Sequence, residues 1–479
     1  MVRVSIVIVI LLAAVPAAGA ATRHVPEDYP TIQAAIDSAA GGDTVLVAKG
    51  NYSGPGNLDL ATRGKNLVIR SDTGPDSTRI IFRLTVGEQW FTRCFLFDSA
   101  SGGTVLEGFT FVDSGSYTAT EGRGLLIQGS SPLIRRCVVS GFHAGSPVVC
   151  EGGSPTFDHC TFTGNTGGCS TCKSGDDRAA PWLGRASAVR CTNGATARFD
   201  NCDFVGNTAD LSQGALVCDA SSPLLTDCRF VDNGGYASHA AAVTAGNGSG
   251  PVFAKCLFER NRNDGLNREV FGGAVYLYGS TGSFDGCLFD SNATLGGNRR
   301  FGTGVCADSG SAATLAGCTF TRNEGGGNSG FSAVWCGPDA TVAISRGLAV
   351  FNRDCPPVGR ADSTGTVTLS CSDLYGNSGG DWTGDIAPQF GLDGNFSLNP
   401  HLCDTANPAV GLFDISPCAP PHSPCGEVIG AFGVGCLDAR PMILSPAAVL
   451  AMEDQPFGYE PEFADPDGPD TVISFGAAP

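Results

Sequence analysis

The stretch Cys202-Asp-Phe204-Val-Gly-Asn207 returns as Cys228-Arg-Phe230-Val-Asp-Asn233, and variants of it recur between residues 137 and 377. Six clear copies begin at Cys160, Cys202, Cys228, Cys256, Cys287 and Cys318, and three degenerate copies begin at Cys137, Gly347 and Cys371. Successive copies lie 23, 42, 26, 28, 31, 31, 29 and 24 residues apart. Such a period predicts a solenoid, in which each repeat buries its apolar face only against its neighbours.

Each repeat contains the pattern of three short strands. In one repeat, Ala188-Val-Arg-Cys191 is followed by a strand around Phe199 and then by the strand of Phe204, with apolar and polar residues alternating. The residue before each cysteine suits a corner with positive φ. These residues are His159, Asn201, Asp227, Lys255, Gly286 and Gly317. The asparagines that close the repeats are expected to occupy left-handed corners and to stack their amides from coil to coil.

Before the repeats, Ile32, Ala35, Ile36 and Ala39 form an apolar stripe at helical spacing, and Gly41 suits the end of that helix. With this helix and the coil pattern, the sequence resembles the right-handed parallel β-helix, or pectin-lyase-like, superfamily over roughly residues 24–437. The resemblance implies an all-β fold, a right-handed parallel β-helix solenoid with an N-terminal capping helix. A truncated β-sandwich-like tail is expected after it. A solenoid fold alone does not define an activity.

The repeats, the cysteine-rich stretch and a shift in composition after Cys436 divide the chain into five expected segments. They are a signal peptide (1–20), a cap helix with the first rungs (24–136), the regular parallel β-helix (137–378), a closing Cys-rich segment (379–437) and a last segment (438–479) that resembles an incomplete immunoglobulin- or cadherin-like module. Arg3, a short apolar run and Ala18-Gly19-Ala20 are typical of a secretory signal. No later segment is apolar enough to span a bilayer. We therefore expect a secreted or cell-surface protein.

Net charge limits the partners. The formal charge is −18, and nucleic-acid binding requires a basic surface. The same charge disfavours tight, metal-free binding of acidic polysaccharides. The expected partner is a polysaccharide or cell-surface glycan.

Most of the 21 cysteines occupy repeat positions. The repeat cysteines are expected to stack as a buried, inward ladder of free thiols that behave as small apolar groups. A second, interrupted column is expected to contain Cys150, Cys191, Cys218, Cys306 and Cys336. The disulfide candidates lie outside both columns and are Cys169, Cys172, Cys403, Cys418, Cys425 and Cys436.

The long loops follow one repeat position and should therefore gather on one side of the coil, where function is expected. The loops at 166–186, 262–271 and 293–301 should border a dip about two rungs wide. The candidate ligand-binding residues on this side are Trp182, Arg185, Tyr236, Arg262 and Arg268. Aromatic and Arg side chains suit sugars. Alternatively, the Arg residues only solubilise the loops.

No intact catalytic motif of the resembled enzymes is present, and no residue is assigned a catalytic or metal-binding role. No cofactor is expected, with calcium at the acidic run 465–470 as the one candidate. The favoured hypothesis is therefore a carbohydrate-binding or adhesion scaffold. The alternative is a polysaccharide lyase or glycoside hydrolase of the pectin-lyase-like superfamily.

Overall fold

The protein folds as a parallel β-solenoid, so the predicted all-β architecture is confirmed. The computed structural model describes residues 19–82, 93–98, 102–114, 123–143, 145–168, 186–210, 213–235, 239–265, 269–297, 299–325, 332–403, 411–436, 442–443 and 463–464. The predicted signal peptide lies almost wholly outside these residues. Among the described residues, no helix has the length and apolar content needed to cross a bilayer.

Three long parallel sheets, here called A, B and C, form the walls of the coil. The strands of sheet A are Thr22–Val25, Thr44–Val47, Val68–Ser71, Val105–Glu107, Leu133–Arg135, Thr156–Asp158, Arg198–Asp200, Leu224–Thr226, Val252–Ala254, Thr281–Asp285, Ala312–Ala316, Thr341–Ser345 and Thr366–Ser370. The strands of sheet B are Gly50–Tyr52, Thr78–Phe82, Thr110–Asp113, Val138–Ser140, Thr161–Thr163, Asp203–Val205, Arg229–Val231, Leu257–Glu259, Leu288–Asp290, Thr319–Thr321, Leu348–Val350 and Asp373–Tyr375. The strands of sheet C are Leu60–Ala61, Phe95–Phe97, Leu125–Gln128, Val148–Glu151, Val189–Thr192, Leu216–Asp219, Val243–Gly246, Val275–Tyr278, Val305–Asp308, Val334–Cys336 and Val358–Arg360.

A short fourth sheet, D, was not predicted from the sequence. Its strands directly follow the repeat asparagines and are Thr166–Gly168, Thr208–Asp210, Gly234–Gly235, Arg262–Asn263 and Ala293–Thr294. Two parallel strands farther along the loops, Glu269–Phe271 and Arg299–Phe301, also pair with each other. A separate antiparallel pair joins Met442–Ile443 to Phe463–Ala464, and the module predicted for 438–479 remains a prediction.

Stacked phenylalanines fill the interior next to sheet B. Phe204 lies in register with Phe162 and Phe230, and its ring stacks on theirs at centroid distances of 4.8 and 4.5 Å. The stack continues through Phe258 and Phe289 at 5.0 and 4.7 Å. Because each of these rings stacks on the rings of the rungs before and after it, the coil core depends on in-register neighbours.

Buried asparagines form a second continuous ladder along the coil. The members are Asn165, Asn207, Asn233, Asn261, Asn292, Asn323, Asn352 and Asn377. The Nδ2 of Asn233 donates to the carbonyl oxygen of Phe204 at 2.8 Å and to Oδ1 of Asn261 at 3.0 Å. The backbone N–H of Asn233 donates to the same Oδ1. At the last member of the ladder, the Oδ1 of Asp381 accepts hydrogen bonds from the backbone N–H and from the Nδ2 of Asn377, both at 2.8 Å.

The corners confirm one prediction and correct another. The residues before the cysteines have positive φ, for example 51° at His159 and 54° at Lys255. The ladder asparagines themselves do not. The left-handed residue is the one before each asparagine, as at Gly206 with φ 62° and Arg260 with φ 51°. This placement leaves the Asn side chain pointing inward, where its amide is fully bonded.

The cysteine ladder is buried and free, as predicted. Its thiols also donate hydrogen bonds: Cys228 Sγ lies 3.3 Å from the carbonyl oxygen of Phe199 in the preceding coil. The second predicted column holds only in part. Cys150, Cys191 and Cys218 are in register, but Cys306 pairs with Tyr276 and Trp335. A shift of one residue in a strand reverses its face, so Cys306 points out of the coil.

Helix α1, Ile32–Ser38, packs beside the first rung through Ile32, Ala35 and Ile36. The side chain of Thr31 accepts a hydrogen bond from the backbone N–H of Ala34, which caps the helix N-terminus. At the other end, the 3₁₀ helix Gly384–Gln389 buries Ile386 against the last strands. Its position lies in the segment predicted to close the coil.

The rest of the closing segment folds back over the outer face of sheet B. The N–H of Gly430 donates to the carbonyl oxygen of Arg346 at 2.8 Å, and the N–H of Ala431 donates to Thr319 Oγ1. A separate apolar cluster forms there from Leu288, Leu348, Val350, Leu402, Leu412, Cys418, Ile429 and Phe432. This contact explains why outward positions late in sheet B are apolar.

Two disulfides join this segment, Cys403–Cys436 and Cys371–Cys425. Cys371, predicted to begin a repeat, lies instead at the corner position, with φ 49°, and the inward position belongs to Ser372. Cys418 was a disulfide candidate and is a buried free thiol. Its Sγ donates to Asp373 Oδ2 at 3.2 Å. Cys169 and Cys172 lie outside the described residues.

We expect Asn233→Asp to destabilise the coil by about 3 kcal/mol or more, because a buried charge replaces a bonded amide donor. Asn193→Asp is the matched control, since Asn193 is exposed at a corner. It should change the free energy of unfolding by no more than about 0.5 kcal/mol. Urea unfolding at neutral pH measures both. Equal stability of the two variants would contradict the structural role of the ladder.

Burial raises the pKa of Asp373 from 3.8 to about 7. The unfolded chain therefore ionises first as pH rises. Stability from the neutral carboxyl is fully present below about pH 4 and is lost as the pH rises through about 7, by at most roughly 4 kcal/mol. The Asp373→Asn variant lacks this titration. The stability of the parent protein relative to Asp373→Asn should therefore fall between these pH values, and a constant difference would contradict the assignment.

Candidate functional site

The long loops leave the coil on one side, between sheet B and sheet C, as expected. Thr166, Arg262 and Ala293 all lie in sheet D, so the loops that begin there start from one edge. Two of these loops return along the coil as the paired strands Glu269–Phe271 and Arg299–Phe301. Phe271 and Phe301 of these strands pack against the outer face of sheet C.

The outer face of sheet C is unusually apolar beneath these loop strands. The in-register outward positions are Thr244, Tyr276, Cys306, Trp335 and Gly359. Tyr276 is 4% exposed and Trp335 is 9% exposed, so the loop strands cover a face that a lone sheet would leave in water. The face and its cover form an aromatic cluster outside the coil core.

Ring contacts connect the loop strands to the sheet. The Phe271 and Phe301 rings stack with centroids 5.0 Å apart, and Phe301 lies 5.0 Å from Trp335. Phe271 is 5.3 Å from Tyr276, which lies 6.4 Å from Tyr278. Aromatic pairs at such separations stabilise a site beyond the area they bury. The rings therefore form a rigid wall.

A cavity of about 300 Å³ opens beside these rings, and we name it the aromatic pocket. It is lined by Glu269, Phe271, Tyr276, Tyr278, Arg299, Phe301, Asp308, Ser309, Trp335, Pro338 and Ala361. The volume lies at the lower end of the range of small-ligand sites, roughly 300–1,000 Å³.

Polar groups of the pocket are held in place by bonds to one another. Arg299 forms an ion pair with Glu269 at 2.8 Å, and its guanidinium lies 5.2 Å from the Phe301 ring centroid. Tyr276 Oη donates to Asp308 Oδ2 at 3.3 Å, and the N–H of Ser309 donates to Asp308 Oδ1 at 2.9 Å. Burial, reinforced by Asp308, raises the pKa of Tyr276 well above its usual value. The phenol is thus a hydrogen-bond donor at neutral pH.

His239 extends the aromatic wall on the side of the preceding rung. Its half-buried imidazole stacks on Tyr276 at 4.8 Å and on Phe271 at 6.1 Å. Loss of hydration among these rings lowers the pKa of His239 to about 4. The imidazole is therefore neutral at pH 7 and adds no positive charge to the pocket.

None of the five ligand-binding residues predicted from the sequence is among the described residues that line this pocket, and four of them stay a prediction. Trp182, Arg185, Tyr236 and Arg268 lie outside the described residues. Arg262 is exposed on sheet D and pairs with Asp264 at 2.8 Å. The aromatic pocket lies on later rungs than the predicted dip. The sequence contained one sign of this pocket. All four residues of Val275-Tyr-Leu-Tyr278 are apolar or aromatic, whereas a strand with one exposed face would alternate apolar and polar residues.

The charged groups set limits on the chemistry of the pocket. It contains two carboxylates and one guanidinium, from Glu269, Asp308 and Arg299. Within the ranges that the structure describes, no three His, Cys, Asp or Glu side chains are grouped so as to hold a metal ion. The calcium candidate at 465–470 lies outside those ranges.

A family model described as the right handed beta helix region matches residues 93–269 and 184–343 of the sequence. Together the two matches span just over half of the 479 residues. The chain therefore belongs to the right-handed β-helix family. No curated protein sequence matches it.

Several solved structures are similar to the chain. The catalytic domain of a GH87 α-1,3-glucanase in complex with nigerose is 10% identical, with 72% of this chain and 68% of that one covered and a TM-score of 0.36. A mannuronic acid-specific family 6 polysaccharide lyase from human gut microbiota is 14% identical, covering 79% and 91%, with a TM-score of 0.36. The periplasmic alginate epimerase AlgG is 10% identical, covering 68% and 84%, with a TM-score of 0.24. At these values the likeness carries no inference about activity.

Proposed function

We propose that this protein is a secreted or cell-surface β-helix scaffold that binds carbohydrate through the aromatic pocket. The observation that carries the proposal is the combination of five aromatic side chains with carboxylate and guanidinium groups around one cavity. The apolar faces of sugar rings stack on aromatic rings, while sugar hydroxyls bond to charged groups. The polysaccharide or glycan partner expected from the sequence fits such a lining.

The pocket is also well prepared for binding. Tyr276 and Trp335 are buried in the cluster and Glu269 is held by Arg299, so few side chains lose freedom when a ligand enters. Half-buried Tyr278 lies at the edge, where its ring can contact both the wall and a ligand. Preorganisation of this kind favours affinity for a small ligand.

Export is supported by two independent features. The first 20 residues have the pattern of a secretory signal. The disulfides Cys403–Cys436 and Cys371–Cys425 suit an oxidising compartment.

An enzyme acting on polysaccharide is the alternative, and the pocket carboxylates of Glu269 and Asp308 favour it, since glycoside hydrolysis commonly uses two carboxyl groups. Incubation with polysaccharides, with and without calcium, tests it. Release of reducing or unsaturated sugar that is lost in Glu269→Gln or Asp308→Asn would replace the scaffold proposal. Binding without turnover would support the scaffold.

We expect Tyr278→Ala and Arg299→Ala each to weaken glycan binding about tenfold, because the first removes a stacking ring and the second removes a donor to sugar hydroxyls and the partner that holds Glu269. A glycan array identifies the ligand, and calorimetry measures its affinity. Arg260→Ala is the matched control: Arg260 is 49% exposed and paired with Asp232, while Arg299 is 54% exposed and paired with Glu269. Unchanged binding by Arg299→Ala, or equal loss in Arg260→Ala, would place the site elsewhere.

A further inference from the structure

We infer that the aromatic pocket selects a positively charged amino sugar, with a free ammonium group, over uronic acids and over N-acetylated sugars. This inference rests on the proposed carbohydrate-binding function and specifies its ligand. The inference is based on the excess of negative charge around the pocket and on the aromatic ring faces that line it.

Negative charge exceeds positive charge around the cavity. Glu269 and Asp308 line it, against Arg299, which is already paired with Glu269. The rim residues Pro338 and Ala361 are each followed by an exposed aspartate, Asp339 and Asp362, while Arg360, which precedes Ala361, is paired with Asp385 at 2.7 Å. Hydrogen bonds from Thr364 lower the pKa of Asp362, so it is ionised at neutral pH. A ligand carboxylate that entered the pocket would lose its hydration and would then be repelled by these negative charges.

The rings offer a complementary surface to a cation. Cations are attracted to the faces of Trp, Tyr and Phe at up to about 6 Å from the ring centroid. The protein already uses this contact within the pocket, where the Arg299 guanidinium lies over Phe301. Tyr278 and Trp335 provide further rings in the same lining. An ammonium group beside them remains stabilised after it leaves water.

Asp308 provides a fixed counter-charge among these rings. Its carboxylate accepts bonds from Tyr276 Oη and from the N–H of Ser309. It also packs over the backbone of Gly337, where an added Cβ would lie 2.3 Å from Oδ1. The carboxylate therefore keeps one position next to the strand of Trp335. An ammonium ligand gains from this preorganised charge, and N-acetylation would remove that gain.

The test compares three trisaccharide probes by calorimetry at low salt and near neutral pH: glucosamine, N-acetylglucosamine and galacturonate oligomers. The glucosamine trimer should bind at least about tenfold more tightly than either of the others, and added salt should weaken its binding. Tightest binding of the galacturonate or the N-acetylglucosamine trimer would overturn the inference. If none of the three binds and a glycan array is blank, the proposed function itself fails.

The Asp308→Asn variant separates the charge from the rest of the pocket. It should weaken glucosamine-trimer binding about tenfold and change N-acetylglucosamine-trimer binding by no more than about twofold. Asp232→Asn alters an exposed carboxylate that pairs with Arg260 and does not line the pocket, and it should change neither affinity. Equal loss for both sugars in Asp308→Asn, at an unchanged melting temperature, would overturn the inference. If Asp308→Asn melts early, Glu269→Gln should still reduce the preference for glucosamine, and an unaltered preference would overturn it.

Discussion

The buried asparagine ladder is the interaction on which the rest of the structure depends. Each amide bonds to the backbone of the coil before it and to the side chain of the coil after it, as Asn233 does with Phe204 and Asn261. A slip of one residue would leave these buried groups without partners, at a cost of about 1–3 kcal/mol each. The phenylalanine stacks favour the same register but tolerate small shifts, because apolar contacts are less directional.

The register of the ladder also determines the outer surface. With the inward residues fixed, alternation places Tyr276, Cys306 and Trp335 in one outward column of sheet C. Loop strands from neighbouring rungs then bring Phe271 and Phe301 over that column. The aromatic pocket is thus a product of coil stacking, since its rings come from successive rungs and no single repeat contains it.

The sequence predicted the coil, the positive-φ corners and the buried thiol ladder, because these features are local and repeat. The prediction from sequence was wrong where a shift of one residue decides whether a side chain points into or out of the coil, as at Cys306 and Cys371. It also failed where distant segments meet, as when Cys418 reaches Asp373. The aromatic pocket was not predicted because the loops differ in length between repeats, and these lengths determine which aromatic rings come into contact. Val275-Tyr-Leu-Tyr278 indicated a covered outer face, but not what covers it.

We propose that a register fixed from inside the coil creates a ligand site around Trp335. The most direct test labels the protein with 5-fluorotryptophan, assigns the ¹⁹F signals by Trp→Phe variants and titrates in the glycan that the array identifies. Trp335 lines the pocket, while Trp382 packs at the end of the coil and donates to the carbonyl oxygen of Phe396. We expect a saturable shift of the Trp335 signal and an unchanged Trp382 signal. A shift confined to Trp182 or Trp382, with Trp335 unaffected, would contradict it.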